Sequence, residues 1–204
     1  MCHGYKNRTI DKGFGGVMKE EIKKALEVLR KGGIIIYPTD TVWGIGCDAT
    51  NDKAVQKIFR LKKRMDHKAM IVLICQAKNI ESIVEKVPSI AYDLMESWNK
   101  PLTIVYDNAK NLAKKLISTD KTIGVRVSKN TFNQQLIKEL GHPIVSTSAN
   151  FSGEETPLFF TEIDDKLLEA VDYVVDLDRT KVVDIKPSTV IRIYPDGNFD
   201  VLRN

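Results

Sequence analysis

The chain has 204 residues, of which 43% are hydrophobic and 28% charged, and its formal net charge is +4. This length suits one large or two small domains and allows a substantial core. The three cysteines, Cys2, Cys47 and Cys75, form no CxxC pair. That count argues against a disulfide scaffold or zinc site and favours a reducing cytoplasm. We see no secretory signal in residues 1–10 and no apolar run near the ~18 residues of a membrane span.

The apolar pattern alternates between helical and strand-like segments. Helices are predicted over residues 18–31, 80–86, 89–98, 131–140 and 161–171. A further helix, the second along the chain, is predicted to begin at a cap at Asp52 and to lead into a basic cluster. Strands are predicted over 34–37, 70–75, 102–106, 123–127, 144–146, 173–176, 189–194 and 199–202, the last after a hairpin turn at Asp196-Gly197. We expect one α/β domain over 1–204 with a mixed sheet flanked by helices, and residues 1–14 as a flexible segment.

A basic cluster, Lys62-Lys63-Arg64 followed by Lys68, lies between the second helix and the apolar run 70–75. Arginine offers a planar donor fork for phosphate or carboxylate, and lysine adds a point charge, so the cluster could bind an anion. Alternatively it is a solvated helix end, where the helix dipole favours cations. The spacing alone favours that second interpretation.

Hydroxyl-rich segments follow two predicted strands. They are YPTDTVWG at 37–44 and STSAN at 146–150. Each could bind a polar ligand in the crevice at a strand end, or could close a local turn. Arg126 lies inside an apolar strand, where it needs an anionic ligand, an acidic partner or a place on the solvent face.

Common catalytic and metal-binding signatures are absent. The chain has no GxxxxGK[ST], no GxGxxG after a strand, no HExxH and no GxSxG. His3, His67 and His142 lack metal-ligand spacing, so no metal site is predicted. His142 is interpreted as a loop residue before Pro143.

Seven segments together resemble the YrdC/TsaC family of L-threonylcarbamoyladenylate synthases over nearly the whole chain: YPTDTVWGIGCDA, LKKR with Lys68, PLT, IGVRV, PIVSTSANFSG, PSTV and VLR. The resemblance implies the short single-domain form, with a YrdC-like twisted sheet around a positively charged central cavity. It implies formation of threonylcarbamoyl-AMP and pyrophosphate from L-threonine, bicarbonate and ATP, with Mg²⁺ on the triphosphate. The product would feed t6A modification of tRNA by a downstream transferase machinery. Some members bind double-stranded RNA or tRNA.

The resemblance also assigns residues. The KxR motif falls on Lys62 and Arg64, which would be catalytic and hold the ATP phosphates, with Lys68 as an anion support. The other residues implied near ATP are Thr122, Ser148, Asn150 and Arg203. Those implied around threonine are Thr39, Arg126, Ser146 and Ser188, with Arg126 on the amino acid carboxylate.

Some positions depart from the family pattern, namely Asn99-Lys100 before PLT, Ala69-Met70 after the basic cluster, and Leu73 where some members have histidine. Two other functions remain open. One is a non-catalytic protein that binds double-stranded RNA or tRNA on the same fold. The other is a divergent paralogue of the YciO type. The intact KxR and SxN motifs favour the synthase, because RNA binding needs only dispersed cations.

Overall fold

The computed structural model describes residues 10–63, 70–180 and 187–204, with side chains from residue 15 onward. These parts form a mixed sheet flanked by helices. The helices are α1 (Ile10–Arg30), α2 (Asp52–Leu61), α3 (Ile90–Ser97), α4 (Thr131–Leu140) and α5 (Asp165–Ala170). The strands are β1 (Ile35–Tyr37), β2 (Gly44–Gly46), β3 (Ile71–Ile74), β4 (Leu102–Tyr106), β5 (Ile123–Val127), β6 (Ile144–Ser148), β7 (Tyr173–Val174), β8 (Thr189–Ile193) and β9 (Phe199–Arg203).

The nine strands follow the order β7-β1-β2-β6-β3-β5-β4-β8-β9. The pairs β7–β1, β3–β5 and β4–β8 are parallel, and the other five are antiparallel. The expected mixed α/β sheet is therefore confirmed. Strands that are neighbours in the sheet come from distant parts of the chain, as the pairing of β4 with β8 shows.

Apolar side chains on successive strand residues enter cores on opposite faces of the sheet, as the two-residue period of a strand requires. On β3, Val72 and Ile74 belong to the core that includes α2, whereas Leu73 belongs to the core that includes α1 and α4. The prediction that run 70–75 is a strand covered on both faces is confirmed. Helix α4 ends as expected, because Gly141 adopts the left-handed conformation at φ 80°.

Strand β2 was missed by the sequence pattern, which gave a loop up to Gly44. Its sequence is Gly-Ile-Gly, and glycine has low strand propensity. The structure needs glycine at position 46, because a β-carbon there would lie 2.4 Å from the Val145 carbonyl oxygen and 2.6 Å from the Tyr37 ring. The close approach of the Val145 carbonyl and the Tyr37 ring thus leaves no room for a side chain at position 46.

Three helix predictions were wrong in detail. The N-cap of α2 is Asn51, whose side chain accepts from the Ala54 amide, and not Asp52. Residues 80–86 do not form an α-helix: a short 3-10 helix covers Ala77–Ser82, and the backbone beyond it bonds to residues 108–110. Segment 161–171 contains a 3-10 turn at Phe160–Glu162 and then α5, because the Glu162 carboxylate turns back onto the amides of 158 and 159.

Glu21 ties α1 to the chain after β7. Only 3% of this residue is exposed. Its carboxylate accepts hydrogen bonds from the Tyr173 hydroxyl at 2.5 Å, the Asp176 amide at 2.7 Å and the Lys24 ammonium at 3.0 Å. Burial raises the pKa of the Glu21 carboxyl, but the three hydrogen bonds outweigh it, and the net pKa lies below the ordinary value.

In the described part of the chain, no helix is both long enough and apolar enough to cross a bilayer.

Candidate active site

A central cavity of about 340 Å³ opens at the strand ends where β3 begins and β6 ends. Its walls come from the β1–β2 loop, β5, β6, the segment after β6 and the chain around β8 and β9. It is lined by Thr39, Thr41, Val42, Gly44, Met70, Ile71, Arg126, Ser146, Thr147, Ser148, Thr156, Leu158, Pro187, Ser188 and Arg203. The structure thus brings together six of the predicted site residues: Thr39, Arg126, Ser146, Ser148, Ser188 and Arg203.

Arg126 is buried beside this cavity, with 4% of its side chain exposed. The possibility of a solvent-facing arginine is therefore excluded. Its guanidinium donates to the Thr41 hydroxyl at 3.1 Å and lies 3.5 Å from the Asp40 carboxylate. Its Nε atom is buried without a hydrogen-bond partner. A buried cation with unused donors at a cavity wall is suited to bind a carboxylate.

The β1–β2 loop forms the wall next to Arg126. Within it, the Thr39 hydroxyl donates to the Val42 carbonyl at 2.6 Å and lies 3.1 Å from the Thr41 hydroxyl. The Thr41 amide donates to the Thr39 hydroxyl oxygen at 3.0 Å. The same loop, through residues that include Asp40, lines a second cavity of about 210 Å³. These bonds give the loop a fixed shape between two cavities.

Ser188 and Arg203 close the opposite wall. The Ser188 hydroxyl lies 2.9 Å from the Thr103 hydroxyl, and the Arg203 guanidinium donates to the Ser188 carbonyl at 2.9 and 3.1 Å. The resemblance places these two residues near different ligands, threonine and ATP. In the structure they contact each other directly, so this wall would lie where the two ligands meet.

Lys62 lies beneath the SxN turn that follows β6. The residue is 1% exposed, and its ammonium donates to the carbonyls of Ser148 at 2.5 Å and Asn150 at 2.7 Å, and to the Asn150 side chain at 3.2 Å. The Ser148 hydroxyl also donates to the Asn150 side chain, at 2.6 Å. Lysine 62 is thus not part of a solvated helix end: it joins the KxR motif to the SxN motif.

Other predicted residues lie elsewhere. Thr122 does not line the central cavity; its hydroxyl donates to the Asp120 carboxylate at 2.8 Å, at the start of β5. Hydrogen bonds from Ser118 and Thr122 lower the pKa of the Asp120 carboxyl. Arg64 and Lys68 lie outside the described residues, so their predicted contacts with phosphate stay predictions.

His142 has a partner that the sequence did not indicate. Its Nδ1 lies 2.9 Å from the Asp48 carboxylate, and Asp48 also accepts from the Thr50 amide at 2.8 Å. The described residues contain no group of three or more His, Cys, Asp and Glu that could hold a metal ion.

Thr41 and Asp40 were not among the predicted site residues, although both contact the Arg126 guanidinium. The TDT sequence carried a signal, because small polar residues directly after a buried strand often face a ligand crevice. The sequence does not show the strand order, and that order brings residue 126 of β5 next to residues 40 and 41. With its buried cation, hydroxyls and fixed backbone turns, the arrangement is suited to hold an anionic ligand in a defined pose.

Comparisons with known proteins identify the family of this chain. A family model described as "Telomere recombination", the Sua5–YciO–YrdC family, matches residues 27–204. The chain is 35% identical over 199 residues to a putative threonylcarbamoyl-AMP synthase of Methanocaldococcus jannaschii, covering 95% of this chain and 91% of that protein. It is 36% identical over 158 residues to the threonylcarbamoyl-AMP synthase of Pseudoalteromonas translucida, covering 76% of this chain and 84% of that protein.

Two solved structures are similar as well. The crystal structure of E. coli YciO matches with a TM-score of 0.77 and 31% identity, covering 91% of this chain and 89% of that chain. P. abyssi Sua5, crystallised with L-threonine, matches with a TM-score of 0.77 and 27% identity. That match covers 84% of this chain and 50% of Sua5, so the chain spans about half the Sua5 length. The expected YrdC-like fold is confirmed, and the chain belongs to the Sua5–YciO–YrdC family.

Proposed function

We propose that this protein is an L-threonylcarbamoyladenylate synthase, which forms threonylcarbamoyl-AMP and pyrophosphate from L-threonine, bicarbonate and ATP. The observation that carries the proposal is the buried Arg126 guanidinium in the wall of a hydroxyl-lined cavity that also reaches Ser148 of the SxN turn. The synthase relatives at 35–36% identity support the same reaction. The product would serve t6A modification of tRNA in the cytoplasm.

The chemistry needs no protein nucleophile. The amine of threonine attacks the carbon of bicarbonate or CO₂ and gives a carbamate, with water leaving when bicarbonate is used. A carbamate oxygen then attacks the α-phosphorus of ATP, and pyrophosphate leaves. Both steps gain mainly from holding the reactants close together and from cations directed at developing phosphate charge. A cavity of hydroxyls and buried cations fits that requirement better than a catalytic triad would.

Each ligand is assigned to one part of the cavity. Arg126 would bind the threonine carboxylate through its free donors, with Thr39, Ser146 and Ser188 around the amino acid. Ser148 and Asn150 would bind the nucleotide. Lys62 would hold them in place for it, since its ammonium donates to both of their backbone carbonyls. Further contacts to ATP are proposed for Arg203, which lines the cavity, and for Thr122, which lies outside it at the start of β5.

The triphosphate needs charge compensation. Lys62 and Arg64 are proposed as the catalytic cations for the phosphates, with Lys68 as an anion support. Lys62 would act through its charge from beneath the SxN turn, to which it donates its hydrogen bonds. Mg²⁺ would arrive with ATP. The described residues offer no cluster of three or more His, Cys, Asp and Glu side chains for a dedicated metal site.

Pyrophosphate release tests the proposal. ATP and bicarbonate are incubated with the protein, with and without L-threonine, and L-serine is the control. Release that depends on threonine supports the synthase, and its absence refutes it. Arg64→Ala is expected to reduce turnover by ~10²-fold or more, as when a transition-state cation is lost. Arg126→Ala is expected to weaken threonine binding more than ATP binding in isothermal titration, and equal losses would reject the carboxylate assignment.

A second function is favoured by one observation. The similarity to E. coli YciO covers nearly all of both chains, at 91% and 89%. A YciO-type paralogue with a different activity would bind ATP but release no pyrophosphate in response to threonine. RNA affinity that falls steeply with salt, without turnover, would instead indicate the non-catalytic RNA-binding alternative.

A further inference from the structure

The Arg126 guanidinium is held from one side by the β1–β2 loop. One terminal nitrogen donates to the Thr41 hydroxyl, and the other lies 3.5 Å from the Asp40 carboxylate without forming a hydrogen bond. Asp40 is itself buried, with 9% of its side chain exposed, and neither carboxylate oxygen has a hydrogen-bond partner among the described residues. A carboxylate kept in this position balances the arginine charge without occupying its N–H groups.

The directions of the hydrogen bonds in this loop follow from proton counting. A threonine hydroxyl has one proton to donate. Thr39 donates its proton to the Val42 carbonyl, so between the two hydroxyls Thr41 must be the donor and Thr39 the acceptor. The Thr41 oxygen then accepts from Arg126. The bonds run in one direction, from Arg126 through Thr41 and Thr39 to the Val42 backbone.

This order gives the two threonines different roles. The Thr39 hydroxyl donates once and accepts from both the amide and the hydroxyl of Thr41, so it has no proton left for a ligand. Thr41 is the member of the pair that contacts the cation. Thr39 holds the Thr41 hydroxyl and amide in place by accepting a hydrogen bond from each.

We infer that Thr41 and Asp40 are positioning residues for Arg126, which hold its guanidinium so that the unused N–H groups face an amino acid carboxylate. The inference rests on the proposed function for the identity of that ligand. An arginine side chain loses rotamer freedom when it binds a ligand. Fixing it before the ligand arrives removes that cost from the binding step. Specificity for a carboxylate over other anions then comes from the orientation of the fork.

The first test compares two changes at one position. Thr41→Val removes the hydroxyl and keeps the shape, whereas Thr41→Ser keeps the hydroxyl. We expect Thr41→Val to raise the Kd for L-threonine about tenfold or more, the factor for losing a hydrogen bond to a charged group. The Kd for ATP should change less than about twofold, and Thr41→Ser should restore threonine affinity. Equal weakening of both ligands by Thr41→Val would overturn the inference.

A matched control removes a comparable hydroxyl elsewhere. Thr50 donates to the Asp48 carboxylate at 2.7 Å, and neither residue lines the central cavity. Thr50→Val should leave the Kd for threonine unchanged. Asp40→Asn, which keeps the shape and removes the charge, should also weaken threonine more than ATP. If Asp40→Asn leaves threonine affinity unchanged, Asp40 has no positioning role.

A second readout does not depend on any ligand. The ¹⁵N signals of the Arg126 side chain, assigned by their loss in Arg126→Lys, report rotation of the guanidinium. We expect separate terminal nitrogen signals in the natural protein and in Thr41→Ser, and averaged signals in Thr41→Val. Where Thr41→Val does not fold, Thr41→Ala is measured instead. Unchanged signals in the valine or alanine variant would overturn the inference. Failure of threonine-dependent pyrophosphate release would refute only the proposed function.

Discussion

Replacing Lys62 by methionine tests whether this buried ammonium supports the SxN turn. The change keeps most of the aliphatic stem and removes the three hydrogen bonds that the ammonium donates within the described part of the chain, two of them to backbone carbonyls. A hydrogen bond from a charged group is worth ~1.5–3 kcal/mol, and a buried acceptor left unsatisfied costs ~1–3 kcal/mol. The ammonium also regains its hydration in the unfolded chain, which offsets part of the loss.

We therefore expect Lys62→Met to lower the free energy of unfolding by about 3 kcal/mol, given two deprived carbonyls at ~1–2 kcal/mol each and a smaller loss at the Asn150 side chain. Urea denaturation followed by circular dichroism measures this change, and the slope with urea should stay the same. Lys63→Met is the control, because Lys63 is the exposed neighbour; its change should stay within ~0.5 kcal/mol.

One result would refute the reasoning. If Lys62→Met is as stable as Lys63→Met and yet loses ATP affinity, the lysine acts on the ligand alone and the turn does not depend on it. If stability falls and ATP affinity falls with it, the residue acts on the nucleotide through the turn. Titrating ATP at a temperature where both variants are folded separates the two results.

Three further predictions concern stability and reactivity. Hydrogen bonds hold the folded-state pKa of Glu21 below its ordinary value of 4.5, so the carboxylate stabilises the fold above that pH and loses this effect as the pH falls through the lower folded pKa. In Glu21→Gln, the free energy of unfolding, measured by urea denaturation, should therefore fall less steeply between pH 6 and 3 than in the natural protein. Gly46→Ala should destabilise the protein by about 2 kcal/mol more than Gly44→Ala, because its new β-carbon would lie 2.4 Å from a backbone oxygen compared with 3.1 Å from a methyl group; equal melting temperatures would contradict this. Burial raises the pKa of the Cys47 thiol, so a thiol reagent should label Cys75 in the native protein and Cys47 only on unfolding, as peptide mapping by mass spectrometry would show.

The parts of the fold that the sequence predicted are those whose pattern is local and strong. Strands β4 and β5 were predicted with their observed bounds, because each is a short apolar run between turn residues. Helix α4 was predicted with its stop at Gly141. Strand β2 was missed because its identity depends on the close approach of Val145, a contact that no local pattern contains.

The candidate site follows the same division. The position of Arg126 inside an apolar strand raised the question of how its charge is satisfied, and the structure supplies Asp40 as the acidic partner. The family resemblance selected Lys62, but it implied a phosphate contact, whereas the described contacts are with the SxN turn. Burial of a lysine at 1% exposure depends on the packing of α2 against the loop after β6, which sequence spacing does not report.

The strand order has a consequence for how the protein reaches its native state. The parallel pair β4–β8 joins residue 102 to residue 189, and the cavity wall needs residues from Thr39 to Arg203. Pairings between such distant segments make folding slow, because a large loop must close before the contact is formed. During synthesis at ~5–20 residues per second, the ribosome would add Arg203 several seconds or more after Thr39. The binding site can therefore form only after residue 203 has left the ribosome, and ligands that bind between these walls should speed the final closure or slow its reversal.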